Sequence, residues 1–412
     1  MYFYTKRCFM DKLDQIFSSF AQTSIFKNKM VLQSNYSPDM IHHRDEQIEA
    51  VASILAPTLR GERVSNLFIY GKTGTGKTLS VDHVGGRIVE KVKSAGQDHL
   101  KYVYVNCKLK KVADTEYRIL AELIHELGGS VPATGLPTDQ VYARFIDIID
   151  DKKQMVLIVL DEIDQAVKKI SDNFIYTLTR LNSELKNAQI SIVGISNSLT
   201  FMDDLDPRVR SSLGEEELVF PPYNALQLQD ILRERADRAF KEQVVQEGVI
   251  AKCAAFAARE HGDARRALDL LRVAGELAER EGVSIVGLDH IDAANQKIEK
   301  DKMLDIIESE PKQFQLVLAA IMTLEDQQKE SDEAMVTGDV YNVYQEICSK
   351  TKNETLTQRR VSDIIAEFDM LGIINARVIS KGRQGRTREI KLMLASNIKP
   401  KAREILQKSL DL

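Results

Sequence analysis

No stretch of the 412 residues approaches the roughly 20 consecutive apolar residues of a membrane-spanning helix, so a helical span is excluded. Cysteine is scarce. Cys8, Cys107, Cys253 and Cys348 lie far apart, with no Cys-x-x-Cys pair. That spacing argues against a disulfide framework or a zinc site and for reduced thiols. Internal repeats and low-complexity tracts are also missing, which excludes a repeat array. The opening, Met1 to Met10, has no continuous apolar core and no small-residue cleavage site, so no signal peptide is expected. A start-like Met10-Asp-Lys-Leu suggests that the first nine residues are a dispensable extension, an expectation only. From these absences the expected location is the cytoplasm. The net charge of −5 neither suggests nor excludes nucleic acid, because a local basic patch is enough for DNA.

What is present begins with Gly71-Lys72-Thr73-Gly74-Thr75-Gly76-Lys77-Thr78, which meets every fixed position of the G-x-x-x-x-G-K-[ST] phosphate loop. The apolar run Leu67 to Tyr70 precedes it and a helix-compatible run beginning with Leu79 follows. The glycines let backbone N–H groups turn toward phosphate oxygens, and the helix adds its N-terminal positive end. The segment is expected to bind a nucleoside triphosphate, with Lys77 holding the β- and γ-phosphates as a point charge.

From about 60 to 225, short apolar runs alternate with helical patterns, the signature of a parallel α/β sheet. Strands are expected at 67–70, 102–107, 156–160, 190–196 and 217–220. Val156 to Leu160 is apolar without alternation, as in a strand covered on both faces. Pro221-Pro222 stops the sheet. From Ala225 to about Lys300 the pattern is helical, typical of a small bundle, and the charged residues 297–302 read as a helical or loose linker. From Pro311 onward come three amphipathic helices and then short strands. The expected divisions are 1–30, an N-terminal extension; 31–224, an α/β nucleotide-binding domain; 225–300, a helical lid; and 301–412, a DNA-binding domain.

The strand 156–160 ends in Asp161-Glu162. Ligands of open α/β sheets sit beyond the carboxyl ends of the strands. Asp161 is thus expected beside a Mg²⁺ that Thr78 coordinates, with Glu162 as the base that orients and deprotonates the attacking water. Asn197, after strand 190–196, could reach the γ-phosphate or that water without adding charge. Gly262-Asp263-Ala264-Arg265-Arg266 opens a helix from which an Arg can lean over the nucleotide.

Near the end, Thr355-Leu-Thr-Gln358 has capping-box spacing, and Val361, Ile364, Ile365, Phe368 and Leu371 form one apolar stripe. Arg359, Ser362, Asp363 and Ala366 fall opposite, and Gly372 ends the helix. This is the shape of a recognition helix for a major groove. Two strands, 373–379 and 389–394, then flank a loop, 380–388, that carries Lys381, Arg383, Arg386 and Arg388 and no acidic residue. Such a basic hairpin suits phosphates or a narrow minor groove. Arg359, Ser362, Lys381, Arg383, Arg386 and Arg388 are the expected DNA contacts.

The ordered set of phosphate loop, Asp161-Glu162, Asn197 and Gly-Asp-Ala-Arg resembles the AAA+ ATPases. More closely, the chain resembles archaeal replication initiators related to the origin recognition complex and its helicase-loading partner. Tyr36 to Gln47 is similar to the family's adenine-packing segment, Asp206 to Gly214 to its intersubunit arginine segment, and the last third to its winged helix. The resemblance runs from about residue 30 to the end. It implies a parallel-sheet ATPase domain, a helical lid and a winged helix, with ATP or ADP and Mg²⁺ as cofactors. It gives Lys77, Thr78, Asp161, Glu162, Asn197 and Arg265 the roles above and sets Pro38, Arg44, Tyr223 and Arg235 about the nucleotide. Many relatives carry an Arg where this chain has Ser212, so the finger acting on a neighbour's γ-phosphate falls to Arg208 first and Arg210 second. Without it hydrolysis should be slow, since such a finger supplies roughly 10³–10⁵ in rate. The Gly128 to Pro137 stretch stands where the family has an initiator-specific insertion. Implied partners are double-stranded origin DNA at the nucleoid, other initiator copies and the replicative helicase. Competing readings are a clamp-loader-type subunit, which calls for a helical collar after the lid, an ATP-binding winged-helix transcription regulator, and a nucleotide switch that does not hydrolyse.

Overall fold

The computed structural model describes residues 24–108, 115–132, 135–327, 335–380, 386–395 and 397–410. The expected extension before Ser24, together with Lys381 and Arg383, lies outside the described residues. The chain divides into two compact units, residues 1–291 and 292–412.

In the first unit, β1 (Leu67–Tyr70), β2 (Leu100–Asn106), β3 (Met155–Asp161), β4 (Gln189–Ser196) and β5 (Glu216–Val219) form one sheet in the order β2-β3-β4-β1-β5. All the pairings are parallel. The unbroken apolar character of β3 has a simple cause. Val156, Ile158 and Leu160 enter a core closed by α3 (Glu116–Glu126), α4 (Thr138–Ile149), α5 (Ile163–Lys169), α6 (Asn173–Arg180) and α7 (Pro207–Leu213). Met155, Leu157 and Val159 enter a second core on the other face, against α1 (Asp45–Leu55) and α2 (Lys77–Ser94). A strand buried on both sides has no polar face to show. β2 starts two residues before its expected position because Leu100 and Lys101 find partners in Met155 and Val156.

The register positions the site. Tyr70 pairs with Ser196, Asp161 with Ile195 and Asn106 with Asp161, so the carboxyl ends of four strands finish together. Because β4 lies between β1 and β3, the residue after it emerges between the phosphate loop and the acidic pair. The lid follows as α8 (Ala225–Ala239), α9 (Val249–Arg259) and α10 (Ala264–Glu281). Helix α11 (Leu288–Ser309) is continuous through 297–302, so the charged stretch is helical, and the division between units falls within it.

The second unit has α12 (Lys312–Gln327), α13 (Thr337–Lys350), α14 (Gln358–Met370) and α15 (Lys399–Leu410) around a small antiparallel sheet. Its strands are β6 (Met335–Val336), β7 (Ile374–Ser380) and β8 (Arg386–Leu392), in the order β6-β8-β7. Two-residue β6 is too short to leave a periodic signal and was not expected. The structure departs from the expected elements in three places. Thr357, not Thr355, caps α14 and accepts from the Arg360 amide, because Gln358 is already the first helical residue. Leu371 does not complete the buried stripe: it caps the helix end and is 38% exposed. The hairpin strands also run further than expected, pairing Val378 with Arg388 and Ser380 with Arg386. Among the described residues, no helix is long and apolar enough to cross a membrane, and Cys107, Cys253 and Cys348 are buried free thiols.

Candidate nucleotide site and nucleic-acid interface

The phosphate loop turns through Gly74 and Gly76 at φ of +71° and +88°, a region that favours glycine. Gly76 caps α2 without a side-chain bond, leaving the first-turn N–H groups of that helix to meet an anion. Lys77 is buried, and its ammonium donates to the Gly71 and Lys72 carbonyls at 2.8 and 2.9 Å and to Asn197 Oδ1 at 2.8 Å. Burial lowers its pKa to about 8, with Arg265 pushing the same way and Asp161, Glu162 and Asp164 opposing. The Thr78 hydroxyl donates to Asp161 Oδ2 at 2.8 Å. A hydroxyl and a carboxylate side by side are hard oxygen donors of the kind Mg²⁺ takes. Asp161 also receives the Tyr104 hydroxyl on Oδ2 and the Glu162 amide on Oδ1, each at 2.8 Å. Burial, and then the Asp161 charge, keeps the Tyr104 phenol above its ordinary pKa and so a donor.

Glu162 caps the start of α5 in the left-handed conformation, φ +52°, with Lys108 Nζ at 3.5 Å from its carboxylate. These groups face a cavity of about 250 Å³ that also takes in Gly74 to Leu79, Tyr36, Pro38, Tyr223, Arg235 and Arg265. Its lining also includes the apolar side chains Ile41, Ile231 and Leu268, and Arg235 lies 4.5 Å over the Tyr36 ring. The lid closes directly on the loop. The Ala264 amide donates to the Gly74 carbonyl, and a Cβ on Gly74 would fall 1.7 Å from Asp263 Oδ1. Only glycine lets the lid approach that closely.

Not every expected site residue faces the cavity. Gly71, Lys72 and Thr73 are not part of its lining: Gly71 packs against Phe220, and the Lys72 carbonyl accepts from Thr75 and Lys77. Arg44 is corrected in the same way. It is 2% exposed, donates to the Thr75, His43 and Pro221 carbonyls, and stacks 3.7 Å over Tyr223, so its guanidinium braces the loop from outside the cavity. Arg208 and Arg210 stand on α7, paired with Asp206 and Asp203 and away from the cavity. Sequence reasoning missed Tyr104, Lys108, Asp164 and the pair His42–Glu234 at 2.6 Å. For Tyr104 there was a signal, since alternation along β2 puts it on the face of Asn106, another cavity residue.

In the second unit, Val361, Ile364, Ile365 and Phe368 are fully buried and Arg359 is exposed, as the stripe required. Arg388 is different. Its Nη1 donates to the Ser362 main-chain carbonyl at 2.7 Å, so Arg388 ties the hairpin to α14, in a bond that does not involve the Ser362 hydroxyl. Arg386 starts β8.

Comparison with known proteins agrees with this architecture. An AAA domain model matches residues 61–202, the Cdc6 AAA+ ATPase-type lid domain matches 229–296, and the CDC6 C-terminal winged helix domain matches 305–399. Fold and site thus define an AAA+ ATPase carrying a winged helix. The ORC1-type DNA replication protein of Pyrococcus abyssi is 53% identical over 388 residues, 92% of this chain and 90% of that one. The ORC1-type DNA replication protein 1 of Methanosarcina mazei is 51% identical over 369 residues, 90% and 88%. The structure of the Aeropyrum pernix ORC1 protein in complex with DNA matches with a TM-score of 0.82 at 44% identity, covering 94% of this chain and 98% of that one. The chain belongs to the family of ORC1-type DNA replication proteins. Its winged helix stands where a clamp-loader subunit would carry a collar, and the family sets the transcription-regulator reading aside.

Proposed function

We propose that this protein is an ATP-dependent replication initiator that binds double-stranded origin DNA in the cytoplasm and helps recruit the replicative helicase, with other initiator copies as partners. The single observation that carries the nucleotide half is the joint placement of Lys77 against Asn197 and of Thr78 against Asp161, with Arg265 on the same cavity. In this reading residues 31–224 and 225–300 hold the nucleotide and 301–412 engage DNA. Mg²⁺, held at Thr78 and Asp161, would supply charge neutralisation at the phosphates. Lys77 grips the β- and γ-phosphates, Glu162 accepts a proton from the attacking water, and Asn197 and Arg265 face the γ-phosphate. Arg208, freed from Asp206, would act on a neighbouring copy. Hydrolysis is weak without that neighbour, and ATP against ADP biases the lid. On the DNA side, Arg359, Ser362 and the hairpin residues Lys381, Arg383 and Arg386 are the proposed contacts.

The test pairs two measurements. Glu162→Gln should retain ATP binding and lose most single-turnover hydrolysis, by about a hundredfold or more. The unaltered chain should protect a repeat within its own replication origin from nuclease. Unchanged hydrolysis removes Glu162 as base, and protection of promoters alone removes initiation.

A further inference from the structure

Asp164 stands two residues beyond Glu162 on α5 and is 3% exposed. Two neutral groups donate to it, Ser196 Oγ at 2.9 Å and Gln165 Nε2 at 2.8 Å. A carboxylate so deeply buried among neutral donors is costly to keep, so its geometry is informative. Ser196 is the last residue of β4 and is itself fully buried. Its hydroxyl has one proton and two lone pairs. The proton goes to Asp164, and a lone pair accepts the Ser198 amide at 3.0 Å. One hydroxyl therefore clamps the backbone on both sides of Asn197, and Asp164 fixes that hydroxyl. The Asn197 Oδ1 in turn receives Lys77 Nζ at 2.8 Å.

We propose that Asp164 is a positioning residue for ATP hydrolysis: through Ser196 it holds the turn that presents Asn197 beside Lys77, and so aligns the amide with the γ-phosphate. The inference rests on the reading of Asn197 given above. The tetrapeptide Asp161-Glu162-Ile163-Asp164 then serves two places at once. Its first half faces the metal and the water. Its last residue reaches beneath them to the neighbouring strand end, so the base and the amide are held in one frame.

The experiment measures equilibrium affinity for Mg-ATP and single-turnover hydrolysis separately, on the full chain. Asp164→Ala should lower the hydrolysis rate by about ten- to a hundredfold, the effect of a small misplacement in the site, while the affinity stays within about twofold. Asp164→Asn, which keeps an oxygen for the Ser196 hydroxyl, should recover most of the rate. Asp164→Ala combined with Asn197→Ala should be no slower than Asn197→Ala alone, because the two act through one group. Ser196→Ala, measured alongside, must show the same loss of rate and carries the test if Asp164→Ala does not fold. Equal loss of affinity and rate, or a full further loss on the Asn197→Ala background, overturns the proposal. A slow Asn197→Ala beside normal Asp164→Ala and Ser196→Ala also overturns it, leaving the role of Asn197 intact. A normal rate in Asn197→Ala instead overturns the reading of Asn197 itself.

Discussion

In the role proposed for it, Lys77 sets the pH range in which the nucleotide site works. Burial holds its pKa near 8, so the free protein loses the ammonium proton just above neutrality, whereas a bound polyphosphate holds it on. Affinity for Mg-ATP should therefore be flat below about pH 8 and fall by up to tenfold per pH unit above it. Calorimetry in buffers of different ionisation enthalpy should show net proton uptake on binding near that pH. An affinity constant through this range would mean that Lys77 does not carry the charge. For folding the sign is opposite. A lowered pKa in the folded state makes stability rise as pH climbs from about 8 toward the ordinary lysine value of 10.5. The motif identified Lys77, but its environment depends on Asn197, which lies 120 positions away in sequence.

Helix α14 and the hairpin after it show how far an element can be read from its own residues. The buried stripe of α14 followed from helical period alone, because side chains three and four apart share a face whatever they pack against. The role of Arg388 did not. Sequence put it with the other hairpin cations as a DNA contact, yet β7–β8 pairing continues past it and turns its guanidinium onto the Ser362 carbonyl. Arg388→Ala should remove this charge-assisted bond and destabilise the winged helix by about 1–3 kcal/mol. Scanning calorimetry of the full chain should show the second unit melting earlier. DNA binding should weaken with the slope of its salt dependence nearly unchanged, since a brace releases no counterions. A shallower slope would return Arg388 to the phosphates.

Across the whole molecule the net charge is −5, so any attraction to duplex DNA must come from local clusters rather than from overall charge. Of the hairpin arginines expected to contact DNA, Arg383 and Arg386 remain for that task once Arg388 is assigned to the brace. Changing both to Ala should weaken origin binding and reduce the magnitude of the slope of log K against log salt by up to about 2, with no loss of Mg-ATP affinity. Titrations at several salt concentrations test this, and an unchanged slope would remove the hairpin from the interface. The groups proposed for nucleotide and for DNA also belong to separate compact units, with Lys77, Asp161 and Arg265 before residue 291 and Arg359 and Arg386 after it. Each unit buries its own core, so a fault in one need not unfold the other.

By itself the sequence determined what depends on neighbours along the chain: the phosphate loop, the doubly buried β3 with its acidic end, the lid helices and the apolar stripe of α14. Loop conformation, strand burial and helical faces are local properties, and a few residues in order specify them. Tertiary structure alone decided which side chains meet. Arg44 braces Thr75, Asp164 reaches Ser196, and Arg388 takes the Ser362 carbonyl. Those pairings join segments that touch only after the sheet and the winged helix have closed, and no periodicity along the chain encodes them.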